Sequence, residues 1–155
     1  MSSDIEFLRQ RLALVEQAIS HPSPYQSQGQ DRGRPRRTYH TRQNTTYQRE
    51  ARLLQKLLTR ARPGTVLQLL TAWRQTLGQF AVDHRSKHKE AIRAYDEWTQ
   101  LPHHDQARLP EPPRPPAPRY IDHDGAPWIV DDRLLVLLDD LIERLHKWLD
   151  DDTGS

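Results

Sequence analysis

The sequence predicts an all-α protein: a small helical bundle, or a helical hairpin followed by a C-terminal amphipathic helix, with disordered linkers between. Three observations carry this. Apolar residues recur at gaps of three and four in separate stretches, the spacing that gathers side chains on one helical face. Most stretches open on a Ser, Thr or Asp placed to cap a helix. Between the stretches lie runs rich in proline, glycine and polar residues, where helices stop. The 155 residues divide into an N-terminal amphipathic helix (1–20), a disordered basic linker (21–44), a helical hairpin (45–101), a Pro-rich linker (102–119) and a turn leading into the C-terminal helix (120–150).

In the first segment Ser3 and Glu6 have the spacing of a capping box, and Ile5, Leu8, Leu12, Val15 and Ile19 follow on one stripe. His21-Pro22 ends the helix. Such a short helix needs a partner surface, because alone it is marginal in water. Residues 21–44 contain no aliphatic side chain, so an extended or disordered chain is expected.

A second helix is expected to start at Asn44 or Thr45, where Thr45 and Gln48 again have capping-box spacing, and to run to about Ala61. Leu54, Leu57, Leu58 and Ala61 form its apolar side, and Arg49, Arg52, Lys56 and Arg60 form a basic stripe beside it. That stripe reads either as a surface that tracks phosphates or as a solvated face. Pro63-Gly64 breaks the chain, and Thr65 with Gln68 opens a third helix carrying Val66, Leu70, Trp73, Leu77 and Phe80. The short connection points to an antiparallel helical hairpin. One helix from Thr65 to Leu101 would extend about 55 Å at 1.5 Å per residue, so it either projects, belongs to an oligomer, or breaks near Ser86, where the apolar pattern fades before resuming at Ala91, Ile92, Tyr95 and Trp98.

His103-His104-Asp105 falls in an expected loop, and residues 110–118 hold six prolines, a semi-rigid spacer with P-x-x-P spacings at Pro112, Pro115 and Pro118. A turn is expected about Asp124-Gly125. In the last helix, capped by Asp131 or Asp132, Leu134, Leu138, Leu141, Leu145 and Trp148 recur at gaps of four and three. This face is wide enough for a bundle, and it is the surface expected to meet a partner helix, within the chain, in a coiled coil or in an oligomer.

Charge is distributed unevenly. Residues 31–62 hold ten basic and two acidic groups, a net +8; residues 120–155 hold three basic and ten acidic groups, a net −7; the whole chain is +2. A block of this sign suggests a polyanionic partner. There is no cysteine, which removes disulfides and thiolate metal sites. No 18-residue apolar run and no signal-peptide core occur, so no membrane role and a cytoplasmic location are expected, nucleoid-associated or nuclear if DNA is the partner.

Within the basic block, Arg32-Gly33-Arg34-Pro35 is followed by Arg36 and Arg37. This segment resembles the AT-hook, the short motif of the high-mobility-group A architectural proteins. The resemblance covers six or seven residues. It implies a segment disordered when free that lies along the minor groove of A·T-rich DNA with Arg32 and Arg34 on its floor. Independently of that resemblance, Gly33 permits close backbone approach and Pro35 favours an extended Arg34, which suits two guanidiniums to a narrow, electronegative groove. A basic arm also neutralises RNA, which stays open as a partner.

Catalytic motifs are missing from the sequence: no phosphate-cradling Gly loop, no elbow serine, no paired carboxylates apart from helix polar faces. His84 and His88 share a helical face but lack a third ligand nearby, and Tyr120 and Pro127 spoil a calcium-loop reading of Asp122, Asp124, Gly125 and Asp131. The expectation is a non-enzymatic, cofactor-free, metal-free helical protein associated with DNA, the alternative being a protein-interaction adaptor or assembly factor with no nucleic-acid role.

Overall fold

The structure is a computed structural model that describes residues 3–20 and 34–154, with side chains described for 3–20 and 46–151. Among the described residues it contains helices α1 (Asp4–Ser20), α2 (Arg34–Arg60), α3 (Val66–Lys87), α4 (Lys89–Thr99), α5 (His103–Arg108) and α6 (Asp132–Gly154), and strands β1 (Arg119–Ile121) and β2 (Pro127–Ile129). The helical class is as predicted. The chain forms two compact units, residues 1–73 with 136–155, and residues 74–135.

In the first unit, α1 packs along α2. Ser3 Oγ accepts the Glu6 N–H at 3.1 Å, one half of the expected capping box. Of the predicted stripe, Leu8 and Val15 are buried while Ile5, Leu12 and Ile19 are half-covered; Phe7 joins the buried set. Its ring meets Trp148 of α6 edge to face at 5.8 Å, and the Trp148 Nε1–H donates to the Ser3 carbonyl at 3.2 Å. On α2 the buried residues are Glu50, Ala51, Leu53, Leu54 and Leu57, a stripe one position wider than predicted, while Leu58 and Ala61 are half-buried.

Helix α2 begins at Arg34, not at Thr45. Between Pro35 and Pro63 the chain has no glycine or proline to stop a helix, and Pro35 sits in the first turn, where its missing N–H costs nothing. The Thr45-Gln48 spacing therefore lies inside the helix. Of the predicted linker 21–44, residues 34–44 are helical, and 21–33 lie outside the described residues.

The start of α3 also departs from expectation. Thr65 was the predicted cap, yet its hydroxyl donates back to the Arg62 carbonyl at 2.7 Å and accepts the Arg62 N–H at 3.0 Å. The N–H groups of Gly64 and Val66 instead donate to Asp4, at 3.0 Å each. Asp4 also accepts the Ile5 N–H at 2.9 Å, so this 5%-exposed carboxylate serves the first turns of two helices sixty residues apart in sequence. Gly64 takes φ +88°, which the tight connection requires and a Cβ would disfavour.

Of the three arrangements left open for residues 65–101, the structure shows a break, at His88, where φ is −111° and ψ 25°. The helical bonds His88 N–H to His84 O (3.0 Å) and Ile92 N–H to His88 O (2.9 Å) persist across it. The stretch from His103, predicted as loop, forms the short helix α5. Pro102 sets its N-cap, Asp105 lies in its first turn, and the Gln106 amide donates to the Trp98, Thr99 and Leu101 carbonyls at 3.0–3.2 Å. One side chain thus bonds three carbonyls at and just past the C-terminus of α4, the Trp98 carbonyl also accepting the Leu101 N–H.

The proline segment is not a spacer between separate bodies; it lies within the second unit. Pro112, Pro115 and Pro118 are half-buried and the residues between them exposed, a period of three that matches a polyproline II helix. Beyond it the predicted turn closes an antiparallel hairpin pairing Tyr120 with Trp128. Asp122 O accepts the Gly125 N–H at 3.0 Å, and Gly125 has φ +80°, the left-handed residue that a three-residue hairpin loop needs. Buried Asp122 accepts the Asp124 and Ala126 N–H groups at 2.9 Å each and the Trp128 Nε1–H at 2.8 Å. Asp131 caps α6 by accepting the Leu134 N–H at 3.0 Å.

Candidate nucleic-acid interface

The 27-residue α2 is about 40 Å long at 1.5 Å per residue. Eight of its residues are Arg or Lys, and the single acidic one is Glu50. Glu50 lies on the buried stripe, 2% exposed, and accepts two hydrogen bonds from the Arg11 guanidinium of α1, Nε to Oε2 and Nη2 to Oε1 at 3.1 Å. The hydrogen bond to Glu50 raises the Arg11 pKa above its ordinary value against the opposing effect of burial, and the Tyr47 and Asp140 side chains add to the rise. The outward stripe of α2 is Gln48, Arg52, Gln55 and Thr59, followed by Arg60 and, past the helix end, exposed Arg62. No carboxylate of α2 itself faces that side.

The predicted basic residues fall in two groups. Arg32 and Gly33 lie outside the described residues; Arg34, Pro35, Arg36 and Arg37 form the first turns of α2, and their side chains lie outside the described set. Arg52 and Arg60 are exposed, and Arg49 and Lys56 are half-buried. All four engage other groups of the chain. Lys56 Nζ stands 4.6 Å from the centre of the Trp73 ring, a cation–π contact that fastens α2 to α3 and uses that ammonium for structure.

The face predicted for a partner helix is turned to the chain's own interior. Leu134, Leu138, Leu141 and Leu145 are at most 1% exposed, and Trp148, half-buried, is held by Phe7 and Ser3. These four leucines are buried within the chain itself.

The His84 and His88 rings stand 4.6 Å apart. The His84 pKa is pushed down by desolvation and by His88, with Lys87 adding to the fall and the Pro116 carbonyl opposing it. Among the described residues no group of three or more His, Asp or Glu side chains is placed to hold a metal ion, and no helix is long and apolar enough to cross a membrane. Asp122 and Asp131, two of the calcium-loop positions, are occupied with the backbone and indole bonds above. Sequence reasoning missed the Arg11–Glu50 pair, since nothing in a one-dimensional pattern links positions 39 apart, and missed the fold-back of the proline segment. No protein-family model, curated protein or solved structure matches the chain.

Proposed function

We propose that this is a non-enzymatic helical protein that associates with DNA through its basic segment, residues 31–62, the first turn of α2 at Arg34 and Pro35 unwinding so that the hook-like Arg32-Gly33-Arg34-Pro35 follows the minor groove in extended form, and the outward side of α2 adding phosphate contacts. The observation that carries the reading is the withdrawal of Glu50: α2 holds its only carboxylate inside, against Arg11, so its outward side has no acidic residue of its own, although exposed Glu16 of α1 borders the same surface at Gln48, Arg52 and Gln55. A polyanion approaching that side meets no repulsion from the helix itself.

The test is fluorescence anisotropy with A·T-rich and G·C-rich duplexes over a range of salt. The A·T-rich duplex should bind more tightly, and Arg34→Ala should remove the preference while leaving weak binding. Arg52→Ala with Arg60→Ala should weaken both duplexes alike and reduce the salt slope by about 2, one per lost phosphate contact. Equal affinity for the two duplexes removes the hook; no binding at physiological salt removes the function.

A protein-interaction adaptor is the second reading. It is supported by the outer face of the hairpin, where Ile121 and Ile129 are 52% and 38% exposed beside Pro127. Under it, Ile121→Arg abolishes partner capture and the α2 substitutions leave it intact.

A further inference from the structure

Helices α3 and α4 carry several aromatic side chains, and two of them, His84 and Tyr95, meet the proline segment of their own unit. Phe80 and His84 are 6.3 Å apart, His84 and His88 4.6 Å, and Tyr95 and Trp98 6.1 Å. The segment 111–118 reaches this face at His84 and Tyr95. The Arg114 guanidinium sits 5.9 Å from the centre of the Tyr95 ring, and Pro115, Pro116 and Pro118 share a cleft of about 330 Å³ with Ala81, His84 and Ile92. Tyr120, just past the segment, packs edge to face on Phe80 at 5.3 Å.

Polyproline II segments are recognised elsewhere by the same means: ridges of prolines three apart set between aromatic rings, at low entropic cost because the peptide is already extended. Here Pro112, Pro115 and Pro118 are the half-buried ridge, and the residues between them are more exposed, with Arg114 still reaching the Tyr95 ring. Prolines donate no backbone hydrogen bond, so between Pro112 and Pro116 the segment meets α3 and α4 through side-chain packing, the Arg114–Tyr95 contact and the Pro116 carbonyl beside His84, while the Val130 N–H bond to the Pro118 carbonyl at 2.8 Å anchors its far end. Contacts of that kind are individually weak and exchangeable.

We propose that the ring-lined face of α3 and α4 is a polyproline-binding site occupied in cis by residues 111–118, and that a proline-rich peptide carrying arginine between prolines three apart binds it in trans by displacing this strap. The tether gives the strap an effective concentration in the millimolar range, so the site in the intact chain is largely self-occupied and a competitor binds it more weakly than it binds the opened site.

The probe is a synthetic peptide of residues 109–119, titrated into the ¹⁵N-labelled full chain and into the full chain carrying Pro112→Ser and Pro115→Ser. The opened chain should show saturable shifts at His84, Ile92 and Tyr95. Its affinity should exceed that of the native chain by about tenfold. Tyr95→Ala in the opened background should abolish the shifts, and a peptide of the same composition with the three-residue spacing scrambled should produce none. Arg114→Ala, at a side chain 77% exposed, loosens the strap without touching the core and should strengthen peptide binding several-fold. Absence of saturable shifts in an opened chain whose α3 and α4 remain helical overturns the proposal, as does equal affinity in native and opened chains. Should the opened chain unfold, unchanged affinity in the Arg114→Ala chain overturns it as well.

Discussion

Arg11 of α1 and Glu50 of α2 meet side-on, two guanidinium nitrogens against two carboxylate oxygens, with the Glu50 side chain 3% exposed and Arg11 23%. The pair spans the seam between the two helices. A bidentate geometry meets both formal charges at once, and removing one partner strands the other in a poorly hydrated place.

Glu50→Ala should therefore destabilise the fold by about 3 kcal/mol, the scale of a broken buried pair. Replacing both partners by apolar residues, Arg11→Met with Glu50→Leu, should recover most of that loss. Urea unfolding of the two variants checks this; a double variant as unstable as Glu50→Ala would show that the site needs charge.

Asp4→Ala removes the acceptor for the Gly64 and Val66 N–H groups as well as its own helix start. The expected loss is about 2 kcal/mol, at the upper end for a cap because two helix termini are affected. Asp4→Asn keeps one acceptor oxygen and should lose less. The Tm values of the two variants give the comparison.

Asp122→Ala takes the acceptor from the buried indole N–H of Trp128 and from two loop N–H groups. A loss of about 2 kcal/mol is expected, from groups left unsatisfied in a buried place. Trp128 should gain exposure, read as a red shift in emission when compared with an Asp122→Ala, Trp128→Phe chain.

His84 prefers to be neutral in the folded chain, its pKa lying below the ordinary 6.5. The unfolded chain thus binds the proton first, so stability is full above about pH 6.5 and declines as the pH falls through that value towards the folded pKa. His84→Gln should flatten this part of the stability-against-pH curve relative to the unmodified chain. Identical slopes in the two proteins would show that His84 does not contribute.

The helical class, the turn at Asp124-Gly125 and the capping of α6 by Asp131 or its neighbour were legible because each depends on neighbours in sequence: periodicity, turn residues and a side chain reaching three residues on; the break after α3 was one of three arrangements the pattern allowed. The leucines of α6 were recognisable as a buried face, though not which surface buries them. What escaped the sequence was set at long range. The helical run before Thr45 follows from the lack of breakers after Pro35, a signal overridden by the polar composition of that segment. Thr65 looked like a cap until Asp4 arrived from the other end of the chain, and three-residue strands are too short to show alternation. Of the candidate site, the positive charge was visible at once; that Glu50 is drawn inside, leaving one side of α2 without a carboxylate, depends on Arg11.

The double duty of Asp4 bears on the order in which the chain assembles. Local turns of α3 can form by themselves, but its first N–H groups gain their acceptor only after a loop of some sixty residues has closed. Closure on that scale is governed by chain entropy, so this end of the molecule should consolidate late, and only once the N-terminal helix has docked. A chain emerging from synthesis would carry a frayed beginning to α3 until its earliest residues returned to secure it.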